Sequence, residues 1–159
     1  MPKVLISDKL SPRAADIFRE RGVDVDFRPG LRDEELRQAI RDADGLAIRS
    51  ATTVTAELLD AAKNLKVVGR AGIGVDNVDI DAATQRGVVV MNTPFGNSVT
   101  TAEHAIAMMM SLARQLPLAN ASTHAGKWEK SAFMGMEIAG KTLGLIGCGN
   151  IGSIVADRA

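Results

Sequence analysis

The chain has 159 residues, of which 46% are hydrophobic and 24% charged, the balance of a globular protein rather than a disordered one. Lys plus Arg equals Asp plus Glu, 19 against 19, so no net field draws the chain to nucleic acid or an anionic membrane. Aromatics at 3%, with no Tyr, argue against a base-stacking surface; a lone Cys148 cannot form an internal disulfide. No apolar run approaches the roughly 20 residues of a membrane helix, and the start MPKVLISDKLS has no signal-peptide h-region. The expectation is a soluble, cytoplasmic protein with no membrane or nucleic-acid partner.

Short β-branched runs recur along the chain. They begin at Val4, Val23, Gly45, Val67 and Val88, and each gap holds one helix and two short loops. That spacing is what a parallel crossover requires. The intervening stretches carry helix signals. Ser11-Pro12 provides a cap and a first-turn proline, with a stop at Gly22. Asp33, Thr55 and Asp79 are predicted caps of the next three helices, the last ending at Gly87. Alternating strands and helices predict an α/β fold, a flavodoxin-like doubly wound parallel sheet of five strands in the order 2-1-3-4-5.

After Met91 the rhythm breaks. Asn92 to Ser98 is turn-rich, and a long helix is predicted from about Thr100 to Gln115, closed by Pro117. This helix is apolar nearly all round, so it needs cover on more than one side. A homodimer through residues 100–115 is therefore expected. Met108 to Met110 read as packing residues rather than as a cofactor box. A loop through Gly126-Lys127-Trp128 then leads to a predicted strand, Thr142 to Ile146.

Gly147-Cys148-Gly149-Asn150-Ile151-Gly152 follows that strand and opens a helical run. In this setting the first glycine permits a tight turn, the second lets backbone approach a pyrophosphate, and the third allows close helix–strand packing. The helix N-terminus adds attraction for phosphate. Only Ser153 to Ala159 follow, whereas the acidic residue that selects NAD belongs about 20 residues further on. The expected division is a domain over 1–97 and, over 98–159, the start of a truncated Rossmann domain.

Arg49-Ser50-Ala51-Thr52, Gly69-Arg70-Ala71-Gly72-Ile73-Gly74-Val75-Asp76-Asn77 and Met91-Asn92-Thr93-Pro94 resemble the D-isomer-specific 2-hydroxyacid dehydrogenases. Gly96-Asn97-Ser98, Ala102-Glu103, Gly126-Lys127-Trp128-Glu129 and Gly140-Lys141-Thr142-Leu143-Gly144 extend the likeness in order to the glycine motif. The resemblance covers essentially the whole chain and is strongest to members that oxidise 3-phosphoglycerate to 3-phosphohydroxypyruvate with NAD, the entry to serine synthesis. It implies a substrate domain that begins the chain, is interrupted by the NAD domain, and is completed by a later segment. It also implies that the catalytic arginine, glutamate and histidine lie beyond residue 159. No residue of this chain is expected to be catalytic, and the chain alone is expected to be inactive.

The substrate-holding residues implied are Arg49, Ser50, Arg70, Ala71 and Gly72. Guanidinium groups just past strand carboxyl ends suit a small anionic substrate, and Gly72 frees backbone N–H groups for a carboxylate. The cofactor-binding residues implied are Ile73, Gly147, Gly149, Asn150, Ile151 and Gly152. Ile73 stands where related enzymes carry Thr, and Asn150 where the glycine loop often carries Arg or Lys, so a hydroxyl and a charge are lost. Lys130 matches a position that reaches substrate phosphate across a subunit boundary. His104 reads as a buried or interfacial structural residue, His124 as a loop residue, and Cys148 as a small filler. No Cys/His cluster suggests a metal. Two other readings stay open: a different D-2-hydroxyacid dehydrogenase, or a stand-alone flavodoxin-like module that captures an anion.

Overall fold

The computed structural model describes residues 1–159, except for the side chain of Asp33. The chain forms two compact units, Met1–Gly96 and Asn97–Ala159. In the first unit the order is β1 (Lys3–Ile6), α1 (Pro12–Glu20), β2 (Asp24–Phe27), α2 (Asp33–Ile40), β3 (Gly45–Ile48), α3 (Ala56–Ala61), β4 (Val67–Arg70), α4 (Ile80–Gln85) and β5 (Val89–Met91). All five strands are parallel, in the order β2-β1-β3-β4-β5, as expected.

Register decides which residues share a face. Leu5, Leu46, Val68 and Val90 stand side by side across β1, β3, β4 and β5. They pack with Leu36 and Ile40 of α2, Leu58 and Leu59 of α3, and Ala82 and Ala83 of α4 into the main core. Each fully buried aliphatic side chain there contributes about 1.5–3 kcal/mol. On the other face Val4, Ile6 and Ala47 pack with Ala15 and Phe18 of α1. That cover does not extend along the sheet: Val89 and Met91 of β5 are each 58% exposed.

Local signals account for most helix ends. Thr55 Oγ1 accepts from the Leu58 N–H, and an Asp79 carboxylate oxygen accepts from the Ala82 N–H. Ser11 caps α1 without a side-chain bond, with Pro12 at the first position. At α2 the expectation shifts by one residue. Arg32 holds the extended capping position and Asp33 opens the helix, its side chain lying outside the described residues.

The second unit contains α5 (Ser98–Ala113), α6 (Leu116–His124), a 3₁₀ turn at Lys130–Phe133, and α7 (Asn150–Arg158). Two expectations need correction here. Pro117 does not end a helix but lies in the first turn of α6; the break is Gln115, at φ 54. A first-turn proline loses no intrahelical bond, so it starts α6 as readily as it would stop α5. The predicted strand Thr142–Ile146 is irregular chain. A parallel strand needs a neighbour to receive its N–H and C=O groups, and no strand occurs among the described residues of 97–159. Ile146 is fully exposed.

Candidate functional site

In a parallel sheet all strand carboxyl ends fall on one edge, where backbone groups are free of the ladder and loops converge. Arg49 and Ser50 follow β3. Arg70 ends the neighbouring strand β4, paired in register with Ile48, and Ala71 and Gly72 follow it. The five expected substrate-holding residues therefore share one edge and two adjacent loops. The Ala71 N–H joins those loops by donating to the Ile48 carbonyl at 2.8 Å.

The first loop is tied from two directions. Asp8, just past β1, is 3% exposed. Its Oδ2 accepts the N–H groups of Arg49 at 2.6 Å, Ala51 at 3.2 Å and Thr52 at 3.2 Å, and its Oδ1 accepts the Thr52 hydroxyl at 2.7 Å. From the other side the Asn77 amide donates to the carbonyls of Arg49 at 2.8 Å and Thr52 at 2.6 Å. The Arg49 side chain remains exposed. Its one described bond is long, 3.5 Å from Nη1 to the Lys9 carbonyl, so its charge faces solvent and is free to meet an anion.

The second loop is built around Arg70. Its side chain is only 12% exposed, and its nearest acid is Asp76, 3.7 Å away with a side chain 85% exposed. So exposed a partner neutralises little. Arg70 Nε is buried without a hydrogen-bond partner. A buried N–H left unpaired is costly, and an anion seated here would supply the acceptor. Gly72 makes the arrangement possible: a Cβ there would lie 2.6 Å from Arg70 Nη1. Thr93 N–H donates to the Gly72 carbonyl and the Asn92 amide to the Ile73 carbonyl, and the N–H groups of Ile73, Gly74 and Val75 have no backbone acceptor among the described residues.

In the second unit the glycine motif forms a tight turn into α7. Gly147 has φ 91, and Gly149 holds the capping position before Asn150. A Cβ on Gly152 would collide with the Gly147 carbonyl oxygen, whereas the space over Gly149 is open. Gly152 thus lets the turn lie against the helix, and Gly149 leaves room for a ligand to approach the backbone. These residues fit a pyrophosphate, held by the N–H groups that open α7. Gly147, Gly149 and Asn150 are exposed; Ile151 and Gly152 are half-buried.

Other candidates carry less. His104 is exposed rather than buried within its unit, His124 Nδ1 lies 3.0 Å from the Asn120 carbonyl, and Lys130 and Cys148 are exposed. No group of three or more potential metal ligands occurs among the described residues. Sequence reasoning missed Asp8 and Thr52. A legible signal was present for Asp8, because a polar Ser7-Asp8 pair directly after the apolar run Val4–Ile6 falls on the ligand edge of the sheet.

A doubly wound parallel sheet in the first unit, with guanidinium groups at its carboxyl edge, and a glycine turn at a helix N-terminus in the second place the chain in the α/β class. More particularly, the chain belongs to the D-isomer specific 2-hydroxyacid dehydrogenase family, whose catalytic-domain model matches residues 4–153. It is 51% identical over 156 residues to a D-3-phosphoglycerate dehydrogenase of Archaeoglobus fulgidus, covering 98% of this chain and 30% of the relative. The chain thus spans under a third of that relative's length. Among solved structures it is similar to the TT0316 protein of Thermus thermophilus, with a TM-score of 0.90 and 36% identity over 98% of this chain and 52% of that one. It is similar also to NAD+-bound 3-phosphoglycerate dehydrogenase of Entamoeba histolytica, with a TM-score of 0.78 and 32% identity over 99% and 50%. No helix among the described residues is long and apolar enough to cross a membrane.

Proposed function

We propose that this chain supplies the substrate-holding loops and the opening of the nucleotide site of an NAD-dependent cytoplasmic dehydrogenase that interconverts 3-phosphoglycerate and 3-phosphohydroxypyruvate. The observation that carries the reading is Arg70, a nearly buried guanidinium with an unpartnered Nε lying across Gly72. Arg49 adds a second, solvent-facing guanidinium one strand away. Together they suit a substrate with a phosphate at one end and a carboxylate at the other. Ser50, Ala71 and Gly72 shape the two loops, and Ile73 is the residue of this unit assigned to the cofactor.

Residues 1–97 form the substrate domain in this reading, and 98–159 the start of the nucleotide domain. Gly147, Gly149, Asn150, Ile151 and Gly152 hold the pyrophosphate of NAD, which when bound accepts hydride from C2 of the substrate. The roles assigned to this chain are all binding roles. The relatives named D-3-phosphoglycerate dehydrogenase at 47–54% identity support this substrate over other 2-hydroxy acids.

The test is substitution in the complete enzyme. Arg49→Ala and Arg70→Ala should each raise KM for 3-phosphohydroxypyruvate on the order of tenfold to a hundredfold, the worth of one charge-assisted contact. NADH affinity should stay as it is. Unchanged KM in either variant removes that residue from the site. We also propose a homodimer through α5, whose exposed Met108, Met110 and Leu112 favour a covered position.

A further inference from the structure

Asp8 has no part in the binding roles proposed above, yet its carboxylate is among the most deeply buried polar groups of the first unit. All its described partners are neutral: three backbone N–H groups and one hydroxyl. Burying a carboxylate among neutral donors is an expensive way to finish a strand unless every lone pair is used, and here both oxygens are engaged. Oδ2 collects N–H groups from Arg49, Ala51 and Thr52, which curls the chain after β3 into a small anion-binding turn around it. Thr52 completes the arrangement, since its hydroxyl donates to Asp8 and also lies 2.8 Å from Ser7 Oγ.

The consequence falls on Arg49. Its N–H is held by Asp8 and its carbonyl by Asn77, so its backbone is fixed on both sides while its side chain is free. A long, flexible side chain on a fixed backbone loses less freedom when an anion is captured than one on a mobile loop. The tie is also long-range: Asp8 lies 41 residues before Arg49 and comes from the strand next to β3.

We infer that Asp8 is a positioning residue for substrate binding, acting through Arg49 by fixing the Arg49–Thr52 turn. This rests on the proposed role of Arg49 as an anchor. Asp8 itself touches no substrate; it sets where the guanidinium starts from.

The test uses five variants of the complete enzyme, with KM for 3-phosphohydroxypyruvate, kcat and NADH affinity as readouts. Asp8→Ala should raise KM about tenfold and leave NADH affinity within about twofold. Asp8→Asn keeps an acceptor for the three N–H groups and should bring KM back to within about threefold of the parent. Because Asp8 acts through Arg49, the double variant Asp8→Ala/Arg49→Ala should be no worse than Arg49→Ala alone. Parental KM in Asp8→Ala, additive losses in the double variant, or NADH affinity falling in step with KM overturns the inference. Should Asp8→Ala fail to fold, Asp8→Glu decides: a carboxylate displaced by one methylene raises KM with NADH affinity intact, and parental KM overturns the idea. If Arg49→Ala itself leaves KM untouched, the anchor reading fails and takes the inference with it. If Arg49→Ala raises KM while Asp8→Ala does not, only the inference fails.

Discussion

Residues 1–96 and 97–159 both contain apolar runs of strand and helix character, and they fold to different degrees of completeness. In the first unit each strand run, Val4–Ile6 or Val67–Gly69, finds neighbours among runs of the same stretch, and the sheet closes over Leu5, Leu46 and Val68. In the second, Thr142–Ile146 carries the same apolar, β-forming character, yet Leu143, Leu145 and Ile146 are 42%, 38% and 106% exposed. The helices of that unit form because their hydrogen bonds are internal. Strand formation is a property of a pair, whereas helix formation is a property of a segment.

Hydrogen exchange would test this contrast most sharply. Amides of Val67–Arg70 in the 159-residue chain should exchange about a thousandfold or more slowly than those of Leu143–Ile146, since the former open only with the core. Comparable protection in both stretches would break the comparison. Core truncation reads the same difference as stability. Leu46→Ala should lower the free energy of unfolding in urea by about 2–5 kcal/mol, because the cavity opens beneath a residue 1% exposed. Ile146→Ala should change it by less than about 0.5 kcal/mol.

The apolar surface of α5 offers a third test. Light scattering should give a mass of twice 16.8 kDa for the chain, and Leu112→Glu, at a position 81% exposed, should return it to 16.8 kDa. A parent that is already monomeric ends the dimer proposal. The smallest effect concerns a surface tie in the first unit. The Lys3 N–H bonded to Asp44, with Lys66 beside it, holds the Asp44 carboxyl below the ordinary carboxylate value. A lowered folded-state pKa contributes stability above the ordinary carboxylate value, and that contribution is lost as pH falls through the lowered one. Asp44→Asn should therefore lower the urea midpoint slightly at neutral pH, with the gap to the parent closing in acid. A gap that widens in acid would contradict this.

Strand and helix order in the first unit, the carboxyl-edge position of Arg49 and Arg70, and the glycine turn before α7 were all legible in the sequence. Each depends on local periodicity, on a cap such as Thr55 or Asp79, or on a glycine at a required turn. The sequence also showed that α5 is apolar all round. The Ser7-Asp8 pair after β1 marks the ligand edge, but only the tertiary structure decided that Asp8 closes on the turn carrying Arg49, because the bond joins residues 41 apart and no local pattern names the partner. Likewise, that Arg70 lies buried across Gly72 while Arg49 faces solvent is set by packing; in sequence the two are alike, each an Arg at a strand end. Pro117 starting α6 and the missing strand at 142–146 belong with these. A proline's effect depends on which turn of a helix it occupies, and a strand's existence depends on what stands beside it.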